Sequence, residues 1–593
     1  MSGETLSLQN ATLPDSLVSI LDAAISTVHE IYSRIPGSAI LWRYIQSSHQ
    51  NDPFRSVLEL LLVFFVIRTW RKSRTRDDAS RQGFVKLSEK EIDELVSEWN
   101  PEPLVNPLLN TQDSKLPPPP VISGPASLRP RLFFPKTISS PLVDVPSFEE
   151  DIENDDETPG KSRVDTKECL NLASANFSGL SGAQRITDKA VECLKGYGVG
   201  SCGPPGFYGT FDVHMELEND IARFLGTEAS IIYAQSFSTI SSVLPCFSKR
   251  GDIIVADRGC NFAIQRGIQI SRSTVRWYDH NDVGSLERTL ESVEQEMKRY
   301  RKPLTRRFIV TEGIFENDGM IVDLPSVALA KRFKYRLVLD ETWSFGSMGK
   351  TGKGLTEVFN IPARDIDFLI GSMAVGLCSS GGFCACSKEA AFHQRINSAA
   401  LVYSAALPPL LVAAASEAIS YLTSPLPSTS SSAETATKVS LPLSNLPSNV
   451  RILRSILDEL DSNLFSPLFI PSHPASPLIH LTIRRRPPSL LTVPTPTPSS
   501  RHRSDSQAVQ AAKVAEKEAE SEWLLEQERL LQDVAEECMK EGILLTRSKK
   551  VWEQEMLSPV PSLRICVSSG LTEQEIRTAG EVIKRAVVKV LGS

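Results

Sequence analysis

The sequence has ten cysteines but no pair spaced C-x-x-C. Neither a zinc site nor a disulfide framework is therefore expected, and most of the chain belongs in a reducing compartment. Strong charge of either sign is also missing: a formal net charge of −7 over 593 residues leaves no electrostatic footprint for nucleic acid. Residues 1–16 are polar, without an apolar core, so no secretory signal is expected there. What is present is ordinary for a globular protein, 41% hydrophobic and 23% charged residues, in a chain long enough for two or more domains.

Leu17, Ile20, Leu21, Ala24, Ile25, Val28 and Ile31 recur at helical spacing between Pro14-Asp15-Ser16 and Pro36-Gly37. Such a helix lies on a membrane surface or docks on protein. The most apolar stretch, Val57 to Ile67, is shorter than the roughly 20 residues of a full crossing. A buried core helix is the plainer reading, but core helices rarely carry a basic cluster such as Arg68, Arg71, Lys72, Arg74 and Arg76 directly after them. A membrane segment over 56–72 is expected, with 1–55 lumenal and the body cytosolic. Asn10-Ala11-Thr12 then becomes a lumenal glycosylation sequon. Ser88 to Glu91 is a capping box that starts a short helix, within a linker over 73–165 that includes Pro117 to Pro120 and an acidic run from Glu149 to Glu157.

Over 166–411 short runs such as Ile253-Ile254-Val255, Phe308-Ile309-Val310, Leu337-Val338-Leu339 and Phe368-Leu369-Ile370 alternate with helical stretches. Nearly continuous apolar strands between helices predict a parallel α/β sheet buried on both faces. Each run ends in a polar or glycine residue, where such folds place their sites. Residues 412–593 predict a smaller α/β domain with disordered insertions at 423–448 and 484–508, and a charged helix from Ala508 to Glu541 that docks through Leu524, Leu525, Leu530, Leu531 and Val534.

The densest glycine segment, Gly196 to Gly209, ends in no Gly-Lys-Ser/Thr and lacks the strand, G-x-G-x-x-G and acidic residue of a dinucleotide site. On physical grounds it is a tight surface loop, or a strip that lets another backbone or a ligand approach closely. Together with Asp212, Val213, His214 and Glu218, it resembles the glycine strip of the α-oxoamine synthases, enzymes that use pyridoxal 5′-phosphate (PLP) to join an amino acid to an acyl-CoA. Other landmarks follow in that family's order: Asn171 to Leu180, Gly251 to Asp257, His280-Asn281-Asp282, Asp340 to Gly354, and Pro561 to Ile565. The resemblance spans roughly 170–590 outside the insertions. It implies a fold-type I PLP-transferase (aspartate aminotransferase-like) large domain, a smaller C-terminal α/β domain and, upstream, an N-terminal membrane helix.

The departures from the family are specific. Where it has the lysine that binds PLP, this chain has Val375, which carries no amine. Trp343 stands at the active-site histidine and Asn261 at the histidine that stacks on the cofactor; Asp340, the partner of the pyridine nitrogen, is kept. Without the lysine, Asp340 is expected to act as a strand-end acid capping a neighbouring helix. No catalytic residue and no metal are expected in this chain. One branch of the family shows this pattern: the lysine-free subunit of heterodimeric serine palmitoyltransferase, to which Trp99 to Val105 and the upstream apolar segment are also similar. The resemblance implies a complex in the endoplasmic-reticulum membrane that condenses L-serine with palmitoyl-CoA to 3-oxosphinganine. A lysine-bearing second subunit would hold the PLP, and membrane lipid and small regulatory membrane proteins would be further partners. Segments implied to face the partner are Gly198, Gly200, Gly203 and Tyr208, then Cys260, Asn261 and Phe262, then Tyr403 and Ser404. A scaffold or regulatory protein of the same fold, and an independent acyl-CoA:amino acid synthase, are the alternatives; Val375 counts against the second.

Overall fold

The computed structural model describes residues 43, 58, 61–69, 89–98, 120–124, 127–133, 166–300, 305–424, 441–461, 468–484, 505–548, 554–557 and 560–592. The chain divides into two units, Met1–Asp113 and Ser114–Ser593. In the first, residues 61–69 are helical, and Leu58 and every side chain from Leu61 to Ile67 are at least half exposed. A second helix, Glu89–Glu98, starts right after the Ser88 expected to cap it. Among the described residues no helix is long and apolar enough to cross a membrane. The helix expected over 17–31, the Asn10 sequon, Trp99 to Val105 and the acidic run lie outside the described residues.

The second unit opens with a three-stranded antiparallel sheet of β1 (Val121–Ser123), β2 (Arg131–Phe133) and β3 (Thr166–Glu168). The first two strands fall inside the stretch expected to be linker, which is a correction. Leu132, Phe133 and Phe134 make an apolar run too short, between Pro130 and Pro135, to signal a strand, yet Leu132 and Phe133 are buried. Next, β4 (Leu170–Asn171) pairs in parallel with β14 (Ile543–Leu544), so the start of the large domain is stitched to the C-terminal part.

The large domain is built on seven strands: β5 (Ala229–Tyr233), β6 (Ile253–Asp257), β7 (Thr274–Tyr278), β8 (Arg307–Glu312), β9 (Arg336–Asp340), β10 (Phe368–Ser372) and β11 (Gly382–Cys386). Their order is β5-β11-β10-β9-β8-β6-β7, with β11 antiparallel to both its neighbours and the other pairs parallel. Ile254, Val310, Val338 and Ile370 pack in one core; Val255, Ile309, Leu339 and Leu369, one residue on or back, pack in the other. Strand residues alternate faces, so burial on both sides demands the unbroken apolar runs seen in the sequence.

The C-terminal sheet runs β12 (Leu468–Phe469), β13 (Leu478–Ile483), β16 (Ser562–Cys566), β15 (Thr546–Arg547), backed by helices Leu446–Leu457 and Glu573–Leu591. The second helix has a full capping box between Thr572 and Glu575. Of the expected insertions, 425–440 and 485–504 lie outside the described residues. The end of the first is not an insertion: Leu443 and Leu446 are core side chains. The charged helix spans Asp505–Lys540 and docks through Leu531, Val534, Ala535 and Cys538.

Candidate functional site

Parallel strands point their carboxyl ends at one edge of the sheet, and there β6, β8 and β9 end in Asp257, Glu312 and Asp340, all buried. Asn261 ties two of them together. Its backbone N–H donates to Glu312 Oε1, its Nδ2 donates to Asp340 Oδ2 at 3.1 Å, and its Oδ1 caps helix Phe262–Ser271 by accepting from Ile264 N at 3.0 Å. Asp340 Oδ1 accepts from Thr342 N at 2.9 Å, so both its oxygens have donors within the chain. Asp340 thus caps its own following turn, and the helix cap expected of it belongs to Asn261. Burial, reinforced by Asp340, pushes Glu312 well above the usual carboxylate range; burial also raises Asp340, against the bonds from Thr342 and Asn261.

Strand β10 ends at Ser372, whose hydroxyl accepts from Val375 N at 3.2 Å and caps the one-turn helix Met373–Gly376. Val375 packs against the main core. Trp343 is buried edge-on to Phe177, with ring centroids 6.2 Å apart, and the Arg564 guanidinium lies 5.5 Å over its indole.

Sequence reasoning missed a charged clamp beside this edge. His280 Nδ1 lies 2.7 Å from Asp257 Oδ1, and its Nε2 lies 2.8 Å from Asp318 Oδ2. Burial opposes the positive charge, but the bonds that the ring donates to both carboxylates override it and push His280 up to about 10. The Asp318 carbonyl in turn accepts from Ser472 Oγ, which joins the clamp to the C-terminal domain. The signal available was His280-Asn281-Asp282 itself; which carboxylates would meet it depends on strands far apart in sequence. Because the histidine is raised above its usual 6.5, its stabilisation is full below about pH 6.5 and fades as pH climbs towards 10. His280→Gln should therefore cost on the order of 2–3 kcal/mol near pH 6 and far less at pH 10, read by denaturant unfolding at both pH values.

The residues expected to face a partner divide in two. Tyr208 and Tyr403 are 99% and 85% exposed, and Gly198, Gly200 and Ser404 are exposed with them. Cys260 and Asn261 are buried, 0% and 4% exposed, and only Phe262 of that group reaches the surface in part. Within this chain the Cys260–Asn261 turn faces inward, where Asn261 carries the bonds to Glu312 and Asp340. Glycine density is also not uniform in purpose. Gly198 has φ +77°, and Gly203 and Gly209 press on backbone, whereas a side chain at Gly200 would meet nothing within 4 Å.

A covalent bond to PLP, the cofactor of the α-oxoamine synthases, needs a side-chain amine. The turn after β10 carries Met373, Ala374 and Val375, none with an amine, and each oxygen of Asp340 accepts one hydrogen bond from within the chain. Lys353 lies over the Phe224 ring at 5.5 Å, and Lys388 opens a helix beyond β11.

The strand order and the acid-lined strand ends define the class, a PLP-dependent transferase fold with a second, smaller domain. Residues 167–439 match the family of class I and II aminotransferases. Two solved structures share the fold. A serine palmitoyltransferase from S. paucimobilis with a bound PLP-myriocin aldimine superposes with a TM-score of 0.59 at 17% identity, covering 84% of this chain and 98% of that one. The enzyme from Sphingomonas wittichii gives 0.59 at 16%, covering 85% and 99%. Sequence relatives are nearer. Serine palmitoyltransferase 1 of Saccharomyces cerevisiae is 33% identical over 94% of this chain and 93% of its own length. Long chain base biosynthesis protein 1b of Oryza sativa is 36% identical over 85% and 86%. The chain belongs to the serine palmitoyltransferase family that these two relatives represent.

Proposed function

We propose that this chain is the non-catalytic subunit of a heteromeric serine palmitoyltransferase, the enzyme that condenses L-serine with palmitoyl-CoA to 3-oxosphinganine in sphingolipid synthesis. The observation that carries the reading is the amine-free turn at Val375, beside an Asp340 whose two oxygens are bonded within the chain. A lysine-bearing subunit holds the PLP, whose chemistry is to stabilise the carbanion formed at the amino acid's Cα. This chain contributes stability, interface and membrane location. The test is to co-purify it with a lysine-bearing relative and assay condensation: the pair should turn over and neither chain alone should. Turnover by this chain alone would overturn the proposal.

The same proposal places the complex on the endoplasmic-reticulum membrane with its body in the cytosol. The support is the 61–69 helix, whose apolar side chains are exposed through Ile67 and whose sequence runs straight into Arg68, Arg71 and Lys72. Deleting 56–70 should convert carbonate-resistant membrane association to a mostly soluble fraction. Protease added to sealed microsomes should digest the C-terminal domain, and its protection would reverse the orientation.

A further inference from the structure

We propose that the amino-end edge of the large domain's sheet, opposite the candidate site, binds a single-chain amphiphile with an anionic head. The inference is independent of the heteromeric reading, because every group it uses belongs to this chain. Helix Val283–Arg299 starts past the carboxyl end of β7 and runs back to finish at the amino-end edge, before β8. Between its last turns and the starts of β6 and β7 lies a cavity of about 320 Å³. Ile253, Val293 and Met297 form its apolar wall, each at most 8% exposed, and Arg276, Glu296 and Thr305 stand on its polar rim. A water takes up about 30 Å³ in the liquid and a methylene is of similar size, so the cavity holds a chain of roughly ten carbons.

The polar groups beside this wall point to an acceptor. The Thr305 hydroxyl oxygen and the Arg307 Nε are both buried, and neither has a hydrogen-bond partner among the described residues. Arg307 pairs with Ile253 across the β8–β6 ladder, so its side chain leaves the sheet on the face of the cavity wall. Buried polar groups are nearly always bonded, so an orphan calls for a partner that the chain itself does not supply. Both orphans can donate. Arg276 adds further donors: one terminal nitrogen lies 3.1 Å from Glu296 Oε2 and the other donates to Val275 O at 3.4 Å, which uses part of the five N–H groups of a guanidinium. Donors at the rim ask for an anionic head, and the hydrocarbon wall beneath them asks for a chain.

The surrounding charge has the matching sign, on a chain whose net charge is −7. Lys249 and Arg250 lead into β6, Arg272 leads into β7, and Lys298 and Arg299 end the helix. Those five follow or close helices, where cations offset the macrodipole. Arg306 and Arg307 open a strand, so the macrodipole does not account for them. The carboxylates among these cations are committed. Asp252 accepts from Lys249 N and Arg306 N, each at 3.0 Å, Glu294 pairs with Lys298 at 2.9 Å, and Glu296 holds Arg276. An amphiphile with an ammonium head meets the wrong sign here.

The experiment uses the full chain in nanodiscs of neutral phosphatidylcholine, with a photoreactive decanoate that carries a diazirine near its tail. Irradiation and peptide mapping should place the label on β6 or on the last turns of helix Val283–Arg299. Unlabelled decanoate and decyl phosphate should compete, and decylamine should not. The stronger of the two anions tells a free fatty carboxylate from a phosphate-headed lipid. Arg276→Gln, at a partly exposed rim position, should weaken competition by decanoate about tenfold, and Thr305→Val, which keeps the side-chain shape, about threefold. Label absent from these segments, or equal competition by decylamine, would overturn the inference. So would unchanged competition in both variants, by reducing the binding to simple partition into an apolar gap.

Discussion

Borohydride reduction of the isolated chain after incubation with PLP is expected to leave no stoichiometric pyridoxyl-lysine at any position. The segment after β10 holds Met373, Ala374 and Val375 on a one-turn helix capped by Ser372, and none of them has a nucleophilic nitrogen. Lys353 and Lys388, the lysines closest in sequence, are committed elsewhere, one over the Phe224 ring and one at the start of a helix after β11. The effect is all or none, since a lysine-bearing relative treated alongside should label one site per chain. Peptide mapping by mass spectrometry reads the result. A single fully labelled lysine between 340 and 400 would sink the non-catalytic reading outright.

Gly209→Val is expected to lower condensation by the assembled complex about a hundredfold or more. The added Cβ would stand 2.0 Å from Gly203 O and 2.6 Å from Pro204 O, and both are backbone atoms that cannot swing aside. The turn must therefore reopen, and a displacement of about an ångström in a site-lining segment is enough for such a loss. Gly196→Ala is the reference: nothing lies within 4 Å of its Cβ, so turnover should stay within about twofold. Turnover, pull-down and thermal unfolding measured on the same preparations separate loss of activity from loss of fold. Full turnover in Gly209→Val would show that the strip has no part in the shared site.

The clamp at His280 and the turn at Tyr208 differ in how far they were legible. His280 lay in a recognised triplet, but its partners are Asp257, the last residue of β6, and Asp318, in the turn that follows β8. Tyr208 was visible as a candidate, while its left-handed backbone was not, because nothing in Gly-Phe-Tyr-Gly says which residue takes the positive φ. The corrections have a common cause. Leu132 and Phe133 were read as linker because their apolar run is short, and Asp340 was expected to cap a helix whose cap is Asn261, tied to Asp340 and Glu312 across strand ends. Within the chain only Gly203 of the pair Gly200 and Gly203 meets a neighbouring backbone, which the glycine spacing does not reveal.

What the sequence by itself determined is whatever depends on residue type and short-range period. Unbroken apolar runs require strands buried on both faces, a capping box starts a helix, and a valine cannot supply an amine wherever it lies. The tertiary structure alone decided which distant groups meet. It paired β4 with β14, drew β1 and β2 out of an expected linker, set His280 between two aspartates, and gave Asp340 both its donors. Such meetings depend on how strand ends and loops converge in three dimensions, and a buried carboxylate or imidazole takes its charge and its partners from that convergence.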